Sequence, residues 1–490
     1  MSEPTTSDDL DTKIMRSSAF AVVGFGGTNV LSLVTTIILA RLLTPSDFGL
    51  VALTVSLLAF THLIQESGLG AALVVYRGNL GQAAASAAVF TPVVGVALYA
   101  VSYVAAPFLA DIFREPELTS VFRAAAIILV LRGLAIVPLA LLERDMRYGP
   151  MTTIELAGGI AQAAVAIVLA VAGAGVWSLV AAQLATGVVQ LLLAWALIPM
   201  RLSVRDADRA TLRTLMRYGR HVGIANVLDY GNASVEGILV GRVLGAGALG
   251  YFSVAKRLAS MPVSVLGNIL GRGVFAAFAR LQHDIAGSRR IWLDNVQRLS
   301  LVAIPATIGI VLTAEPLVLT LLGESWRAAI VPLQILALNS VVRTFSSTAG
   351  EAFQAQHRPH YRIYASSTHL AVIVPLLVIG SRWQGVDGAA AAVVTTNAIV
   401  GLPVIAVVMR MFEVTSSELL RAMARPAIGW VAMTAALLAL RPAVSGLAPA
   451  LQLATLVVVG AGVYAIAIAL FARSIVANMW FSLRGTPVPR

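Results

Sequence analysis

Residues 41–50 of this 490-residue chain read RLLTPSDFGL, and residues 242–251 read RVLGAGALGY. The arginine, the apolar pair that follows it and the later glycine coincide at an offset of 201 residues. A second correspondence links Gly175 with Gly385 at an offset of 210 residues. Six long apolar segments separate the members of each pair. Because six is even, both halves keep the same orientation, which predicts a parallel internal repeat.

About fourteen apolar segments alternate with short polar ones along the chain. A helix that crosses the hydrocarbon core needs about 20 mostly apolar residues, and these segments have that length. We number them spans one to fourteen, with predicted boundaries 18–40, 48–70, 84–109, 120–142, 152–173, 175–198, 218–241, 249–275, 297–322, 328–350, 362–380, 385–409, 424–441 and 449–472. The chain is therefore predicted to be an all-α polytopic membrane protein.

The Lys and Arg residues concentrate in every second gap between the spans. Of the 35, 23 lie on the side that holds both termini, 7 lie on the other side and 5 fall within spans. Short loops rich in Lys and Arg stay in the cytoplasm. The bias therefore predicts a multi-pass protein of the bacterial inner membrane with both termini in the cytoplasm.

The composition agrees with this class and excludes others. Hydrophobic residues make up 58% and charged residues 12%, whereas soluble domains carry about 25% charged residues. The net charge of +11 is explained by arginines scattered over the predicted cytoplasmic loops, so nucleic acid is not an expected partner. The chain has no cysteine, no metal-ligand spacing and no GxxxxGK[ST] phosphate loop. We therefore expect no metal, no cofactor and no nucleotide hydrolysis through such a loop.

The repeat and the polar gaps also predict how the chain is divided. Spans one to six and spans seven to twelve form two six-helix lobes, and spans thirteen and fourteen fall outside the repeat. The predicted segments are a cytoplasmic tail at 1–17, an N-lobe at 18–198, a linker at 199–217, a C-lobe at 218–409, an accessory helix pair at 410–472 and a cytoplasmic tail at 473–490.

The linker has a regular basic pattern. Five of its arginines recur every four residues, namely Arg201, Arg205, Arg209, Arg213 and Arg217. This spacing predicts a helix with a basic stripe and an apolar edge that lies on an anionic leaflet and anchors the linker. Binding of a substrate headgroup is the alternative interpretation.

Several longer motifs resemble one family over nearly the whole chain. They include ILARLLTPSDFGLVAL from Ile38, LLERDMRYGPMTTIE from Leu141, GAGVWSLVAAQL from Gly173 and EGILVGRVLGAGALGYFSVAKRL from Glu236. In order and spacing they resemble the polysaccharide exporters (Wzx-type flippases) of the multidrug/oligosaccharidyl-lipid/polysaccharide superfamily. The resemblance implies two lobes around a central cavity and an accessory pair that forms a lipid-facing groove. It also implies that a polyprenyl-diphosphate-linked oligosaccharide moves from the cytoplasmic to the periplasmic leaflet.

Two other functions compete with export of a lipid-linked glycan. A cation-coupled multidrug antiporter of the same superfamily is disfavoured because span one holds no acidic residue and the in-span cations favour an anionic substrate. A glycan polymerase or glycosyltransferase needs a sizeable periplasmic surface, but the largest outer gap is about ten residues long. We therefore expect a transporter and no enzyme. Without a nucleotide site, a proton or sodium gradient or downstream consumption by a glycan polymerase would drive export.

Span seven carries a polar stripe. Asn226, Asp229, Asn232 and Glu236 share one helical face. Such a face lines a cavity or pairs with another polar helix. The family usually has Asp where this chain has Glu236, so the acid is retained but is one methylene longer.

Five cations lie within spans, where charge is costly and therefore indicates function. They are Lys256, Arg257 and Arg272 in span eight, Arg132 in span four and Arg343 in span ten. Arginine suits bidentate phosphate contacts and lysine acts as a point charge, so these residues are predicted to bind the substrate diphosphate or to line the cavity. A structural ion pair between Glu236 and Lys256 is the alternative for span eight.

Span two ends with another polar cluster, His62, Gln65 and Glu66, on one helical face. A carboxyl group in an apolar setting has a raised pKa, which suits a proton carrier. The cluster is therefore a candidate for ion coupling. Hydrogen bonding to neighbouring helices at the membrane edge is the alternative.

Topology gives a direct test of this interpretation. A reporter that is active only in the periplasm should be inactive when fused after Arg209 and active when fused after Glu115, because the positive-inside bias places these gaps on opposite sides. Enzyme activity in intact cells measures both. Opposite results at the two sites would overturn the predicted span count.

Overall fold

The structure, a computed structural model, describes residues 27–65, 68–198, 203–281, 284–346, 348–356, 358 and 360–471. These residues fold into α-helices and two short 3₁₀-helices, Val204–Asp206 and Glu324–Ala329. The α-helices are α1 Gly27–Leu42, α2 Pro45–Gln65, α3 Leu69–Val75, α4 Leu80–Phe113, α5 Leu118–Ala125, α6 Ile127–Arg144, α7 Tyr148–Val171, α8 Val176–Leu197, α9 Arg209–Leu244, α10 Ala246–Arg280, α11 Ile285–Leu321, α12 Ile330–Ser346, α13 Ala349–Ala355, α14 His360–Met411, α15 Ser416–Val444 and α16 Pro449–Phe471.

The predicted all-α polytopic class is confirmed. Among the described residues, nine helical segments are long and apolar enough to cross a membrane, and two more are shorter apolar helices. Predicted spans seven and eight lie in α9 and α10, which carry more polar residues and are not among those segments. Spans eleven and twelve both lie within α14. The span count of fourteen therefore stays a prediction.

Two repeat-related glycines adopt nearly the same backbone conformation. Gly175 precedes α8 with φ 55° and ψ −133°, and Gly385 interrupts α14 with φ 59° and ψ −131°. A side chain with a Cβ is strained at such positive φ values, so glycine is needed to turn the chain into the next helix. Spans six and twelve thus begin with the same turn, at the offset that the sequence predicts.

The TPSD motif forms the start of α2. The Thr44 N–H donates to Asp47 Oδ2 at 2.8 Å, and the Asp47 N–H donates to Thr44 Oγ at 3.3 Å. This reciprocal pair is a capping box, and Pro45 occupies the first helical position, where a missing N–H costs nothing. The motif therefore fixes where α2 begins and which way it leaves the loop.

The second copy of the motif starts α10 by a different means. Gly245 ends α9 with φ 85°, and the N–H of Ala246 donates to Glu115 Oε1 at 2.9 Å. Glu115 belongs to the loop between α4 and α5, so an acidic side chain distant in sequence caps this helix start. A carboxylate at a helix N-terminus is favourable because it satisfies an unpaired N–H and opposes the helix dipole.

The two copies of the motif cross each other at glycines. A Cβ on Gly49 would overlap the carbonyl oxygen of Ala246, and a Cβ on Gly250 would overlap the carbonyl oxygen of Pro45. The same offset of 201 residues relates Pro45 to Ala246 and Gly49 to Gly250. Each copy thus supplies one glycine and one carbonyl to a reciprocal contact, which we call the motif crossing. Only glycine permits backbones to approach this closely.

Packing divides the described chain at a different point from the sequence repeat. The chain forms two compact units, one ending at Gly250 and one beginning at Tyr251. Helix α9 belongs to the first unit because it packs along α2, where Gly237 lies against Ser56 and Gly241 lies 3.0 Å from Leu53 Cδ1, measured from a Cβ built on the glycine. The repeat places span seven in the C-lobe, and the boundaries at 198 and 218 stay predictions.

The linker differs from the separate surface helix that the arginine spacing predicts. Helix α9 begins at Arg209 and continues without a break to Leu244, while Arg205 lies in the 3₁₀-helix and Arg201 lies outside the described residues. Asp208 caps α9 by accepting from the Thr211 N–H at 2.8 Å and the Thr211 hydroxyl at 2.7 Å. These hydrogen bonds lower the pKa of Asp208, so the cap is present at neutral pH and is lost as pH falls through this lowered value.

In the second unit, α15 and α16 pack on each other and on α11. The Tyr464 hydroxyl donates to the Leu301 carbonyl at 2.5 Å and ties α16 to α11. Arg289 ties α11 to the start of α15 through Glu413 at 3.5 Å and Glu418 at 3.3 Å. The predicted accessory pair is therefore attached to α11 at two positions along that helix, Arg289 and Leu301.

The motif crossing can be tested by disulfide trapping, because the chain has no native cysteine. Ser46 Oγ lies 3.4 Å from a Cβ built on Gly247, which suits a disulfide. The S46C/G247C variant should cross-link on oxidation, and adding Gly49→Ala should strongly reduce the yield because the methyl group forces the segments apart. A protease site inserted after Ser203 lies between the two cysteines. After cleavage, the two fragments therefore migrate together on a non-reducing gel if the disulfide has formed and separately if it has not.

Gly462→Ala provides the matched control, since a Cβ there meets no atom within 4 Å. It should leave the cross-linking yield unchanged. Equal yields in the Gly49→Ala and Gly462→Ala backgrounds would contradict the crossing.

Candidate functional site

The polar stripe predicted for span seven lies on the second half of α9. Glu236 is buried, with 6% of its surface exposed, and Asn232 is half-buried. The side chains of Asn226 and Asp229 lie outside the described residues. A carboxylate buried this far from water is costly without hydrogen-bond or ionic partners, and Glu236 has such an interaction. Its role as a cavity residue stays a prediction.

The three predicted diphosphate cations of span eight lie on α10. Lys256 is half-buried and Arg257 is exposed, while the side chain of Arg272 lies outside the described residues. Lys256 belongs to the second unit and Glu236 to the first, so their predicted ion pair stays a prediction. Lys256 and Arg257 are adjacent, lie about three turns into α10, and both interact with other groups.

The first unit contains a polar cavity beside predicted span four. It holds about 210 Å³ and lies between α2, α6 and α8. We call it the N-pocket, and it is lined by Gln65, Leu131, Arg132, Ala135, Ile136, Leu139, Gly187 and Gln190. Of the predicted cluster at the end of span two, it therefore contains Gln65. Glu66 and the side chain of His62 lie outside the described residues.

Gln65 is held firmly in the N-pocket wall. Its side chain is 3% exposed, and its amide Nε2 donates to the carbonyl of Leu129. Its Oε1 has no hydrogen-bond partner among the described residues. An unsatisfied buried acceptor costs free energy unless a donor reaches it. The N-pocket thus offers one guanidinium, from Arg132, and one amide oxygen that lacks a described donor.

The second unit contains a corresponding cavity beside predicted span ten. It also holds about 210 Å³ and lies between α12, α13 and both parts of α14. We call it the C-pocket, and it is lined by Val342, Arg343, Ser346, Ala349, Gly350, Phe353, Arg362, Ala365, Ser366, Asn397, Val400, Gly401 and Val404. Its polar side chains are two guanidinium groups, two hydroxyl groups and one amide.

The internal repeat relates the two pockets. Arg132 on α6 and Arg343 on α12 are 211 residues apart, and Gly187 on α8 and Asn397 on α14 are 210 residues apart. In each unit the arginine comes from the fourth span and the opposite wall from the sixth span of that half. Two arginines that are isolated in sequence are therefore equivalent members of a duplicated cavity.

Sequence reasoning missed the remaining members of these pockets. Arg362 counts as a cytoplasmic loop residue in the topology bias, but in the structure it faces the C-pocket from the first turn of α14. Gln190 and Asn397 lie in apolar spans without charged neighbours and gave no signal. The repeat could have identified them, because aligning span six with span twelve places both residues opposite the arginines.

The chemistry of these sites is that of anion recognition. Guanidinium, hydroxyl and amide groups donate hydrogen bonds to phosphate or carboxylate oxygens. Within the described ranges, no group of three or more His, Cys, Asp or Glu residues could hold a metal ion. The described polar groups therefore suit binding of an anionic headgroup.

Comparison with known proteins finds relatives that are named for polysaccharide transport and biosynthesis. Succinoglycan biosynthesis transport protein ExoT of Rhizobium meliloti (strain 1021) is 28% identical over 341 residues, covering 68% of each chain. Lipopolysaccharide biosynthesis protein WzxC of Escherichia coli (strain K12) is 21% identical over 369 residues, covering 73% of each chain. These relatives and this chain match over most of their lengths.

Solved structures share the fold. Lipid II flippase MurJ in an inward closed conformation superposes with a TM-score of 0.75 at 13% identity, covering 94% of this chain and 99% of MurJ. An inward-facing multidrug resistance MATE family transporter of the MOP superfamily gives a TM-score of 0.62 at 17% identity, covering 79% and 96%. The profile of a family described as polysaccharide biosynthesis protein matches residues 38–332, more than half of the chain. The chain therefore belongs to the family of polysaccharide biosynthesis proteins.

Proposed function

We propose that this chain is a flippase that moves a polyprenyl-diphosphate-linked oligosaccharide from the cytoplasmic to the periplasmic leaflet for surface polysaccharide biosynthesis. The observation that carries the proposal is the presence of Lys and Arg residues within predicted membrane spans. All five in-span Lys and Arg residues lie on three helices, α6, α10 and α12, and two of them line polar cavities. The printed names of the relatives, which describe polysaccharide transport and biosynthesis, support the same substrate class.

The physical difficulty of this reaction explains the need for buried cations. A diphosphate and a hydrophilic glycan must cross about 30 Å of hydrocarbon. An anion that leaves water loses hydration, and an unpaired buried charge costs several kcal/mol. Lys256, Arg257 and Arg272 are proposed to replace that hydration, with Arg132 and Arg343 as further cavity cations. The polyprenyl tail remains in the lipid throughout.

Alternating access requires that one end of the translocation path closes while the other opens. The motif crossing lies at the predicted periplasmic ends of spans one and seven, next to Arg41 and Arg242. We assign it as the closed periplasmic end of the path in this conformation. Separation of Gly49 from Ala246, and of Gly250 from Pro45, would open that end. Because the contact is reciprocal, both halves of it must part together.

The same fold also serves multidrug transport, as the likeness to a MATE family transporter illustrates. An antiporter for cationic drugs is therefore the second candidate function. The cationic side chains of α6, α10 and α12 repel such substrates and favour the flippase. Ion coupling through His62, Gln65 and Glu66 is proposed to use protons or sodium, and a glycan polymerase is proposed to consume the product.

Genetic depletion and complementation test the function. Deleting the gene should leave lipid-linked repeat units in the inner leaflet and reduce surface polysaccharide, because the hydrophilic headgroup does not cross unaided. Wild-type protein should restore export, whereas the K256Q/R257Q/R272Q variant should not, because it lacks the proposed diphosphate contacts. Labelled lipid-linked intermediates and surface glycan are measured, with membrane insertion of each variant checked by immunoblot.

An Arg441→Gln variant controls for loss of positive charge, because Arg441 lies at the predicted periplasmic end of span thirteen, outside the span-eight group. It should restore export fully. Normal glycan export in the deletion strain, together with lost resistance to cationic drugs, would replace the flippase by the antiporter. Wild-type export by the triple variant would place the diphosphate site elsewhere.

A further inference from the structure

The first turns of α9 carry a basic face that the proposed function does not use. Arg209, Arg213 and Arg217 follow one another at intervals of four residues, with Leu212 and Met216 between them. Residues three and four apart lie on one side of a helix, and these five side chains line a groove of about 600 Å³. We call it the basic groove. Its described lining combines three guanidinium groups with two apolar side chains.

The opposite side of the same turns is docked on the first unit. Leu215 is buried in a core cluster that includes Leu73 of α3. Ser86 Oγ of α4 accepts from the Asp208 N–H at 2.8 Å and donates to the Asp208 carbonyl at 3.1 Å. The start of α9 is therefore fixed in its rotation about the helix axis. The basic groove keeps one orientation, unlike the face of a linker helix that lies loosely on a leaflet.

The charges around the basic groove are mostly positive. Arg209 and Arg213 have exposed side chains, whereas Arg217 also interacts with another group. Asp208 caps α9, Asp206 lies in the preceding 3₁₀-helix, and neither of them is among the described residues that line the groove. The exposed arginines therefore favour an anionic partner.

The position of the basic groove along α9 indicates which anion it meets. Span seven is predicted to begin at residue 218, so the groove lies just outside the membrane on the predicted cytoplasmic side. Arg213 lies five residues before that point, or about 7 Å along a helix axis, which is close to the thickness of one headgroup layer. Met216 and Tyr218 are exposed at the boundary, where tyrosine is common in membrane proteins.

We propose that the basic groove binds the headgroup of an anionic phospholipid from the cytoplasmic leaflet. Arg209 and Arg213 contact the phosphate, and Met216 and Tyr218 contact the glycerol and the upper acyl chains. Basic residues next to a membrane helix attract anionic lipids, and each contributes a factor of about five in affinity. Because the start of α9 is docked on α3 and α4, the bound lipid is held against the first unit.

The diphosphate headgroup of the proposed substrate shares this phosphate chemistry. That headgroup also carries a hydrophilic glycan, for which Leu212 and Met216 offer no hydrogen-bond partner. A phospholipid places an apolar chain directly beside its phosphate, and it therefore matches a groove in which apolar and cationic side chains alternate. The phospholipid is the occupant that the lining favours, and a prenyl diphosphate is the competitor in the experiment.

Fluorescence quenching in nanodiscs tests the lipid site. The chain has no native cysteine, so T214C accepts a single bimane label on an exposed residue beside the groove. The discs contain increasing fractions of phosphatidylglycerol or phosphatidylcholine that carries a nitroxide near the headgroup. Phosphatidylglycerol should reach half-maximal quenching at a mole fraction about fivefold to twenty-five-fold lower, the range for one or two arginines. This preference should shrink in about 1 M salt, where the Debye length falls to about 3 Å.

Three variants in the T214C background separate the groove from a general charge effect. R209Q/R213Q should respond to both lipids within about twofold, because it lacks the exposed cations. R209K/R213K keeps the charges and should retain most of the preference. R410Q/R421Q removes two exposed arginines from the predicted cytoplasmic side of the second unit and should quench as wild type does. Gel filtration confirms that each variant is folded.

Equal quenching of the wild-type groove by the two lipids would overturn the proposal and would leave the groove to a water-soluble partner. Reversal of the phosphatidylglycerol signal by added farnesyl diphosphate would also overturn it, because the groove would then bind the substrate headgroup. An equal loss of preference in R410Q/R421Q and R209Q/R213Q would contradict a local site. The assay involves no transport, so its result does not depend on the flippase proposal.

Discussion

The motif crossing is the constraint on which the described first unit depends. Backbone carbonyls of Pro45 and Ala246 approach Gly250 and Gly49 so closely that no side chain fits between them. This contact holds the starts of α2 and α10 against each other, and α9 packs along α2. The sequence encodes it twice, in RLLTPSDFGL and RVLGAGALGY. The helix that begins in each copy is capped differently. Asp47 caps α2 from within the same motif, whereas Glu115 caps α10 from a loop distant in sequence.

A second constraint is the cost of charge at membrane depth, which is tolerated where function requires it. The repeat places an arginine at the same level in each half, and each forms the wall of a small cavity. The two copies differ in the polar side chains that line their cavities. One cavity retains amides and a single cation, whereas the other gains Arg362. Duplication thus provides the architecture, and the two copies differ in the cations that line their cavities.

Local sequence patterns predicted the helical class, the parallel repeat and the correspondence between Gly175 and Gly385, because hydropathy and short motifs can be recognised in the sequence alone. They also identified Arg132 and Arg343 individually, since charge within an apolar span is visible without a structure. They did not predict that Arg362 faces a cavity, that Glu115 caps α10 or that α9 continues unbroken from Arg209. Those features depend on contacts between residues far apart in the chain, which a single sequence does not reveal.

This protein is proposed to move a lipid-linked glycan by opening the motif crossing. The most direct measurement uses proteoliposomes that contain the S46C/G247C variant and a fluorescent polyprenyl-diphosphate glycan, with exposure to an external quencher reporting movement between leaflets. Reduced protein should translocate the lipid, oxidised protein should not, and dithiothreitol should restore translocation. Equal translocation before and after cross-linking would contradict the opening of the crossing, and no translocation by wild-type protein would contradict flipping itself.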